Sequence, residues 1–386
     1  MPHILLKDNF ILNTPSILEG GVEVSFVANG KYDQKIGIKK DGLKFLLLKK
    51  KTDDGYLLKY DKYSRISPIN HIKSAINEIS KNIDSEILFS NIAINNNKIA
   101  PKEEFLKDIE YFIKDFKFEG KICVEVGFGS GRHILHQAIN NPDMLFIGLE
   151  IHSPSIEQVL KQLKIQNIKN ILIINYDARL FLEFIKSNSL HKIFVHFPVP
   201  WPKKPHRRVF SEEFILEAIR ALETGGKLEL RTDDDGYFEF AENLATKLQL
   251  EFVVQKNQDL SVTSKYETRW KKQNKTIYDL QITSTNVSDQ ITIYDDFSFG
   301  DDYDFQKIKH NFLTDTLLQK NCFVHFEEIY EISENWGLLQ VSMGSQNKPE
   351  SKYIEIKDKK ASYYQSMPTP SKTNYEAHKI IMERIK

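Results

Sequence analysis

The chain has 386 residues, of which 41% are hydrophobic and 27% charged, a composition typical of a globular protein with more than one domain. Lysine plus arginine and aspartate plus glutamate both number 53, so any polyanion-binding site has to be a local patch. The two distant cysteines, Cys123 and Cys322, exclude a disulfide framework and a cysteine metal site, and no apolar run is long enough to cross a membrane. We therefore expect a cytoplasmic protein without a metal or a membrane partner.

The first hundred residues predict short strands joined by turns. Gly20-Gly21, Asn29-Gly30 and Asp54-Gly55 are turn signals between apolar runs, and a short helix is predicted near Ile72–Ile83. Residues 1–100 are therefore expected to form a β-rich N-terminal region, whose function the sequence does not indicate.

Residues 101–285 alternate between predicted strands and helices. After a helix predicted from Pro101, the strands are KICVEVG, MLFIGLEI, NILIINY, KIFVHF, KLELRT, EFVVQ and IYDLQIT. Helical patterns separate the first five, as in a parallel sheet covered by helices, whereas the last two predict an antiparallel hairpin at the edge. We expect an α/β domain with a Rossmann-like, doubly wound, mostly parallel seven-stranded sheet. Residues 286–386 predict a small mixed α/β C-terminal region of unknown function.

A glycine-rich turn, VEVGFGSGRH (Val124–His133), lies between the first of these strands and a helix. Gly127, Gly129 and Gly131 allow a tight turn and close approach of a ligand to the backbone. The third glycine of the dinucleotide motif G-x-G-x-x-G, which packs the helix beneath a pyrophosphate, is missing because Arg132 stands there. The pattern favours a nucleoside ligand without a pyrophosphate, of which S-adenosyl-L-methionine is the commonest, although such a loop can also be purely structural.

Three acidic residues accompany this loop on the predicted strands. Glu150 follows the second strand at the distance expected of a carboxylate that accepts from ribose hydroxyls. Asp177 follows the third strand, where it can accept from an adenine amino group or simply cap the next helix. Glu125 lies among apolar residues within the first strand, and a buried carboxylate needs a partner, such as a cationic amino group of a ligand.

The fourth strand ends in FPVPWPKKPHRR (Phe197–Arg208), a proline-stiffened basic loop. Trp201 offers a stacking face for a base, or alternatively seals the end of the sheet as a core residue. The cationic residues can contact phosphates, although such a run can also be a solvated turn. They are Lys203, Lys204, Arg207 and Arg208.

The motifs VEVGFGSG, GLEIH, NYDA, FPVPWPKKPHRR, RTDD and TSKYETRW occur in an order that resembles the bacterial tRNA (guanine-N7)-methyltransferases. The resemblance covers roughly residues 101–284. It implies a class I methyltransferase that uses S-adenosyl-L-methionine to methylate a variable-loop guanine of tRNA. The cofactor acids implied are Glu125, Glu150 and Asp177. The substrate contacts implied are Lys203, Asp233, Ser264, Lys265, Tyr266 and Glu267.

One position departs from the family pattern. The family usually has an aspartate between two prolines of the basic loop, counted among its cofactor and active-site residues, where this chain has Val199. Guanine N7 carries a lone pair and no proton, so methylation needs alignment more than a general base, and a nearby anion would stabilise the cationic product. Asp233 is the predicted catalytic residue, and the run Asp233–Asp235 is either a replacement charge or, at Asp234 and Asp235, a solvated turn.

Three other functions stay open at this point. A nicotinamide-dependent dehydrogenase is disfavoured by the glycine spacing. A methyltransferase-like module that binds tRNA without catalysis is suggested by Val199. An RNA methyltransferase that acts on another base atom would share all the motifs of the cofactor site. The sequence does not indicate the oligomeric state.

Overall fold

The computed structural model describes residues 1–93, 99–258 and 275–386. The N-terminal elements are β1 (His3–Leu6), β2 (Ser16–Leu18), β3 (Val22–Asn29), β4 (Gln34–Lys40), β5 (Leu43–Thr52), β6 (Gly55–Tyr60), α1 (Asn70–Lys81) and β7 (Ile87–Ser90). The central elements are β8 (Leu106–Lys107), α2 (Ile109–Lys114), β9 (Ile122–Val126), α3 (Arg132–Asn140), β10 (Leu145–Leu149), α4 (Ser153–Ile165), β11 (Ile171–Ile174), α5 (Ala178–Phe181), β12 (Leu190–His196), α6 (Glu212–Ala221), β13 (Leu222–Thr232), α7 (Asp235–Lys247), β14 (Glu251–Lys256) and β15 (Tyr278–Thr283). The C-terminal elements are α8 (Phe305–His310), β16 (Thr316–Leu318), β17 (Phe323–Ser333), β18 (Trp336–Gly344), β19 (Pro349–Lys357), β20 (Lys360–Tyr364) and α9 (Lys372–Arg384).

The chain divides into two compact units, where three regions were expected from the sequence. The first unit combines Met1–Lys98 with Tyr294–Lys386, and the second is Ile99–Ile293. The two ends of the chain share a unit because β3 pairs with β17 and because aromatic and aliphatic side chains from both ends form one buried cluster. Contacts so distant in sequence leave no local pattern from which they could be predicted.

The first unit contains an antiparallel sheet with the order β20-β19-β18-β17-β3-β4-β5-β6-β1-β7, and β16 and β2 pair with β17 and β3. Each half contains a short strand, four consecutive strands and a helix in that order, to which the first half adds β1 and β7 and the second half adds α8. Four strands lie in sequence order on each side of the β17–β3 pair, and β1 and β7 extend the sheet on one side only. The helix α1 and the neighbouring strands form one hydrophobic cluster, and α9 and its strands form another.

The second unit is built on a mixed sheet of eight described strands, in the order β14-β15-β13-β12-β9-β10-β11-β8. Strands β8 to β13 pair in parallel, and β15 is antiparallel to both β13 and β14. Every residue of β9 and β10 is buried, as expected for central strands of a sheet that is covered on both faces. Strands β14 and β15 form the antiparallel hairpin that was predicted at the edge of the sheet.

The start of this unit differs from the sequence prediction. The helix expected from Pro101 begins only at Ile109, where the side chain of Asp108 accepts a hydrogen bond from the Tyr111 amide at 2.8 Å. The preceding residues Leu106 and Lys107 instead pair with β11 and add an eighth strand to the expected seven. Within the described part of the chain, no helix is long and apolar enough to cross a membrane.

Candidate functional site

The glycine loop lies where the strand order of the second unit reverses. After β9 the chain continues through β10 and β11 on one side, and then returns to place β12 on the other side of β9. The loops that leave the carboxyl ends of β9 and β12 therefore diverge to opposite sides. In open α/β sheets the crevice at such a reversal is the usual position for a ligand.

The three glycines of the loop have left-handed backbone conformations, but only one is required for packing. Gly127, Gly129 and Gly131 have φ angles of 67°, 52° and 74°. A Cβ atom on Gly131 would lie 2.2 Å from Cγ2 of Val159, whereas one on Gly129 would meet no atom closer than 3.9 Å. Gly131 thus allows α3 to pack closely on α4, which is the role of the third glycine that the sequence analysis found missing. The other two glycines leave the backbone open to a ligand.

Glu150 fastens this loop to the end of β10. Its Oε2 accepts a hydrogen bond from the Gly129 amide at 2.9 Å. Its Oε1 accepts from the amides of Ile151 and His152 at 2.8 and 3.0 Å. The carboxylate is therefore held at the rim by three backbone donors, and its remaining lone pairs can accept hydrogen bonds from a ligand.

Glu125 has a protein partner that the sequence analysis missed. The residue is 4% exposed, and His133 Nδ1 lies 2.8 Å from its Oε2. The structure shows no hydrogen bond to its Oε1 among the described residues. Burial disfavours a charged imidazole, but Glu125 and Glu229 together raise the pKa of His133 above its ordinary value. The need of a buried carboxylate for a partner was a valid signal, but it did not identify the histidine.

A second, partly buried ion pair lies beside the first. Glu229 of β13 contacts His196 Nε2 at 2.8 Å through one oxygen and Lys192 Nζ at 2.7 Å through the other. Burial opposes its ionisation, but these two partners hold the pKa of Glu229 well below its usual range. The rings of His133 and His196 are 4.4 Å apart between centroids. Two carboxylates, two imidazoles and an ammonium group thus form one cluster, which no sequence motif indicated.

Asp177 caps the short helix α5, as one of the two sequence interpretations stated. Its Oδ1 accepts from the Arg179 amide at 3.0 Å. The Arg179 side chain donates to both carboxylate oxygens, at 3.1 Å to Oδ1 and 2.7 Å to Oδ2. These contacts explain an acid at this position without a ligand, and its role toward adenine stays a prediction.

The basic loop presents Trp201 and Val199 at the surface. Trp201 is 37% exposed, so it does not seal the sheet as a core residue would, and Val199 is 61% exposed. The guanidinium carbon of Arg207 lies 5.2 Å from the centre of the Trp201 ring, in the range of a cation–π contact. Arg207 and Lys203 are both exposed. Cationic and aromatic groups therefore occur together at the tip of the loop.

Arg208, which was predicted to contact phosphate, is mostly buried and packs against the protein. It is only 8% exposed, and its Nε donates to the Pro200 carbonyl oxygen at 2.8 Å. Its guanidinium carbon lies 5.1 Å from the Tyr237 ring centre and 4.6 Å from that of Phe240. The Nε donor and the flat face of the guanidinium contact the protein and hold the basic loop against α7.

The acidic run after β13 has one role for each residue. Asp233 Oδ2 accepts from Lys275 Nζ at 2.7 Å, and its side chain is 15% exposed. Asp234 caps α7 by accepting from the Tyr237 amide at 2.7 Å, so it is a structural residue. Asp235 hydrogen-bonds the Tyr278 hydroxyl, whose pKa this contact raises. The role of Asp233 as a functional carboxylate stays a prediction, and in the structure this side chain has a cationic partner.

Arg231, in the same RTDD motif, is completely buried. Its Nη1 contacts both oxygens of Asp279, at 2.5 and 2.6 Å, and Nη2 donates to the Gln258 carbonyl at 2.9 Å. Since His196 and Arg231 are paired in register, the basic loop and Asp233 leave the sheet from adjacent strand ends. The predicted residues Ser264, Lys265, Tyr266 and Glu267 lie outside the described residues.

No group of three or more histidine, cysteine or acidic side chains in the described ranges has the arrangement of a metal site. The titratable residues near the glycine loop are instead paired with one another or with backbone donors. The arrangement suits the binding of an organic ligand at the strand ends.

Comparisons with known proteins define the class and then the family. Residues 119–280 match a family model described as "Putative methyltransferase". The tRNA (guanine-N(7)-)-methyltransferase of Wolinella succinogenes is 40% identical over 395 residues, which cover 99% of each chain. That of Campylobacter jejuni is 38% identical over 392 residues and covers 100% of this chain and 99% of its own. This chain therefore belongs to the tRNA (guanine-N7)-methyltransferase family, as the motifs predicted.

The similarity extends over both units, since the alignments include the β-rich ends of the chain as well as the central α/β unit. Among solved structures, the 16S rRNA methyltransferase KamB is 14% identical and covers 47% of this chain and 93% of its own, with a TM-score of 0.36. A similarity of this size supports no argument about function.

Proposed function

We propose that this protein transfers a methyl group from S-adenosyl-L-methionine to N7 of a guanine in tRNA, and that the guanine is in the variable loop. The observation that carries the proposal is the 38–40% identity to tRNA (guanine-N(7)-)-methyltransferases along the whole chain. The sheet order of the second unit and the glycine loop at its reversal point support a Rossmann-like, doubly wound fold for the donor site.

The residues around the glycine loop fit the proposed donor. A Cβ on Gly127 would meet nothing within 4 Å, so a ligand can approach this backbone. Glu150 is held by three amides and can accept from ribose hydroxyls. The Oε1 atom of Glu125, which accepts no hydrogen bond from the described residues, suits the donor's ammonium group. Asp177 would accept from the adenine amino group while it caps α5.

The donor supplies a methyl group that is activated by its bond to a sulfonium. The lone pair of guanine N7 can attack this methyl without the loss of a proton, so the protein needs no general base. Its contribution is to hold the base and the donor in line, which is worth several orders of magnitude in rate. The prolines around Trp201 restrict the loop that would present the base.

Val199 removes the carboxylate that the family pattern places in this loop, and its exposed apolar side chain cannot stabilise the cationic purine of the product. Asp233 leaves the adjacent strand and is the proposed replacement. Its ion pair with Lys275 reduces the negative charge that it offers. We therefore infer that alignment contributes more to the rate than charge stabilisation does.

The RNA would be held by the exposed residues of the basic loop. Arg207 and Lys203 can reach phosphates, and Trp201 offers a face for stacking. The segment Ser264–Glu267 is proposed as a further contact on the basis of the family resemblance alone. Arg208 is not part of this surface because it is buried.

Nucleoside analysis of tRNA tests the proposal. Unmodified tRNA is incubated with the protein and a methyl-labelled donor, and the label is expected in 7-methylguanosine. Glu150→Gln should abolish transfer by weakening donor binding, and Glu251→Gln, on the exposed end of β14, is the charge-matched control. Label in another nucleoside would indicate a different base atom. Tight tRNA binding without any label would identify a binding module and overturn the proposal.

A further inference from the structure

The cluster of Glu125, His133, His196, Glu229 and Lys192, of which the first two are buried and the others partly buried, is larger than the proposed reaction requires. Methyl transfer to N7 needs no proton acceptor, yet two imidazoles lie between two carboxylates beside the glycine loop. His133 is the second residue of α3, the helix that begins at Gly131. Its imidazole and the carboxylate of Glu125 are both more than nine-tenths buried.

The charges of the cluster balance when it holds one imidazolium. The two glutamates contribute two negative charges and Lys192 one positive charge, so one additional proton makes the group neutral. His133 faces Glu125 on β9, Glu229 on β13, and Lys192 and His196 on β12.

The surroundings of His133 can accommodate both of its protonation states. Gln137 Nε2 lies 3.2 Å from His133 Nε2 and can donate to the neutral ring. After rotation of its amide by half a turn, Gln137 would present an oxygen that accepts from the protonated ring. In either state Nδ1 keeps its proton and donates to Glu125. The carboxylate can therefore stay in place while the charge of its partner changes.

We propose that His133 is a proton-releasing positioning residue of the donor site: it neutralises Glu125 in the free protein and gives up its proton when the donor's ammonium group binds to the same carboxylate. The inference rests on the proposed function, because it requires that Glu125 contacts this ammonium. The ammonium would bind to Oε1, which accepts no hydrogen bond from the described residues, and two cations on one carboxylate repel each other. The proton leaves from Nε2 of His133 to solvent buffer.

Proton release predicts the direction in which donor affinity changes with pH. Burial opposes the imidazolium, but Glu125 and Glu229 raise the pKa of free His133 above its ordinary value of 6.5. The bound ammonium group weakens the attraction between Glu125 and the His133 imidazolium, and so lowers the pKa of His133. Donor affinity should therefore increase with pH, by up to about tenfold per pH unit, between the pKa of His133 in the donor-bound protein and its pKa in the free protein, and it should be constant outside this window.

Calorimetry measures the released proton directly. Binding of S-adenosyl-L-methionine to the full chain is titrated at about pH 6.5, 7.5 and 8.5, in pairs of buffers that differ in ionisation enthalpy. We expect release of roughly 0.3 to 1 proton per site near neutral pH. Methylthioadenosine, which has the nucleoside and the thioether but no ammonium group, should bind without proton release.

The matched variants are His133→Asn and His191→Asn. Asparagine at position 133 can still donate a hydrogen bond to Glu125 but cannot carry the proton, so release and its pH dependence should disappear while donor binding remains. His191 pairs with Glu223 at 2.6 Å at the opposite end of β12, and its replacement should leave the release unchanged.

Equal proton release in wild type and His133→Asn, or donor binding without any release, would overturn the inference and leave the proposed function standing. Failure of the wild type to bind the donor at all would overturn both. If His133→Asn does not fold, His133→Gln and the methylthioadenosine titration of the wild type give the same comparison.

Discussion

Replacement of Gly131 by alanine tests whether the glycine loop depends on close packing of α3 against α4. The residue has φ = 74°, and a Cβ would lie 2.2 Å from Cγ2 of Val159 and 3.7 Å from Cδ1 of Leu135. Real contacts are never this short, so α3 or Val159 must move, at a cost of ~1–3 kcal/mol. The left-handed conformation costs an alanine about 1–2 kcal/mol more. We expect a loss of about 3 kcal/mol in the free energy of unfolding.

The loss is measured by thermal unfolding and located by hydrogen exchange of peptides from α3 and α4. For a unit of this size it corresponds to a fall of roughly 6–12 °C in Tm. Gly129→Ala is the control, because its φ is also positive but its Cβ would meet no atom within 3.9 Å. It should lose only the conformational part.

A double variant separates the clash from the backbone strain. Val159→Ala removes the atom that the new Cβ would meet, so Gly131→Ala should cost less in that background than in the wild type, by about 1–2 kcal/mol. Strictly additive losses, or a fall in Tm no larger than that of Gly129→Ala, would refute the packing argument.

Four further outcomes are expected. Arg208→Ala should lower the free energy of unfolding by about 1–2 kcal/mol and leave the salt dependence of tRNA binding unchanged, because its contacts are internal. Arg207→Ala should reduce the slope of log affinity against log salt by roughly 0.7–0.9 without a change in Tm. Asp177→Ala should raise the donor Kd by about tenfold and the tRNA Kd less. Glu229→Gln should make the free energy of unfolding fall less steeply as the pH is lowered. Burial opposes ionisation of Glu229, but His196 and Lys192 lower its pKa below 4.5. The ionised carboxylate therefore contributes its full stabilisation above the unfolded-state pKa and loses it as the pH falls through the folded-state pKa.

Each expectation has a contrary result. An unchanged salt slope in Arg207→Ala would remove this residue from the RNA interface, and a reduced slope in Arg208→Ala would place the buried side chain there. Equal losses of donor and tRNA affinity in Asp177→Ala would identify the residue as a helix cap only. The same loss of stability between neutral pH and about pH 3 in wild type and Glu229→Gln would show that this pair does not contribute to the acid limb.

The candidate site was predictable where local sequence fixes the backbone. Gly127, Gly129 and Gly131 fall on the turn between β9 and α3 as predicted, since glycine adopts left-handed conformations at the lowest cost. Glu150 directly follows β10, because the end of a continuous apolar run marks the end of a buried strand in the sequence. These positions follow from the order of strands and turns along the chain.

The partners of the predicted residues were not predictable. His133 meets Glu125 only because α3 packs over β9, and Lys275 reaches Asp233 across 42 positions of sequence. Arg208 was assigned to the RNA surface from its place in a basic run, although its side chain turns inward onto α7. A cationic residue in a loop has the same local pattern whether it is solvated or buried, so only its contacts decide.

The sequence by itself determined the class of the second unit, the order of its strands along the chain, the glycine loop and the family. Those features depend on periodicity and on motifs that are contiguous in the chain. Only the tertiary structure decided that the two ends of the chain form one unit through β3 and β17, and that a cluster of buried and partly buried ionisable groups lies beside the glycine loop. Both arise from contacts between residues far apart in sequence, whose energies depend on burial and distance rather than on local pattern.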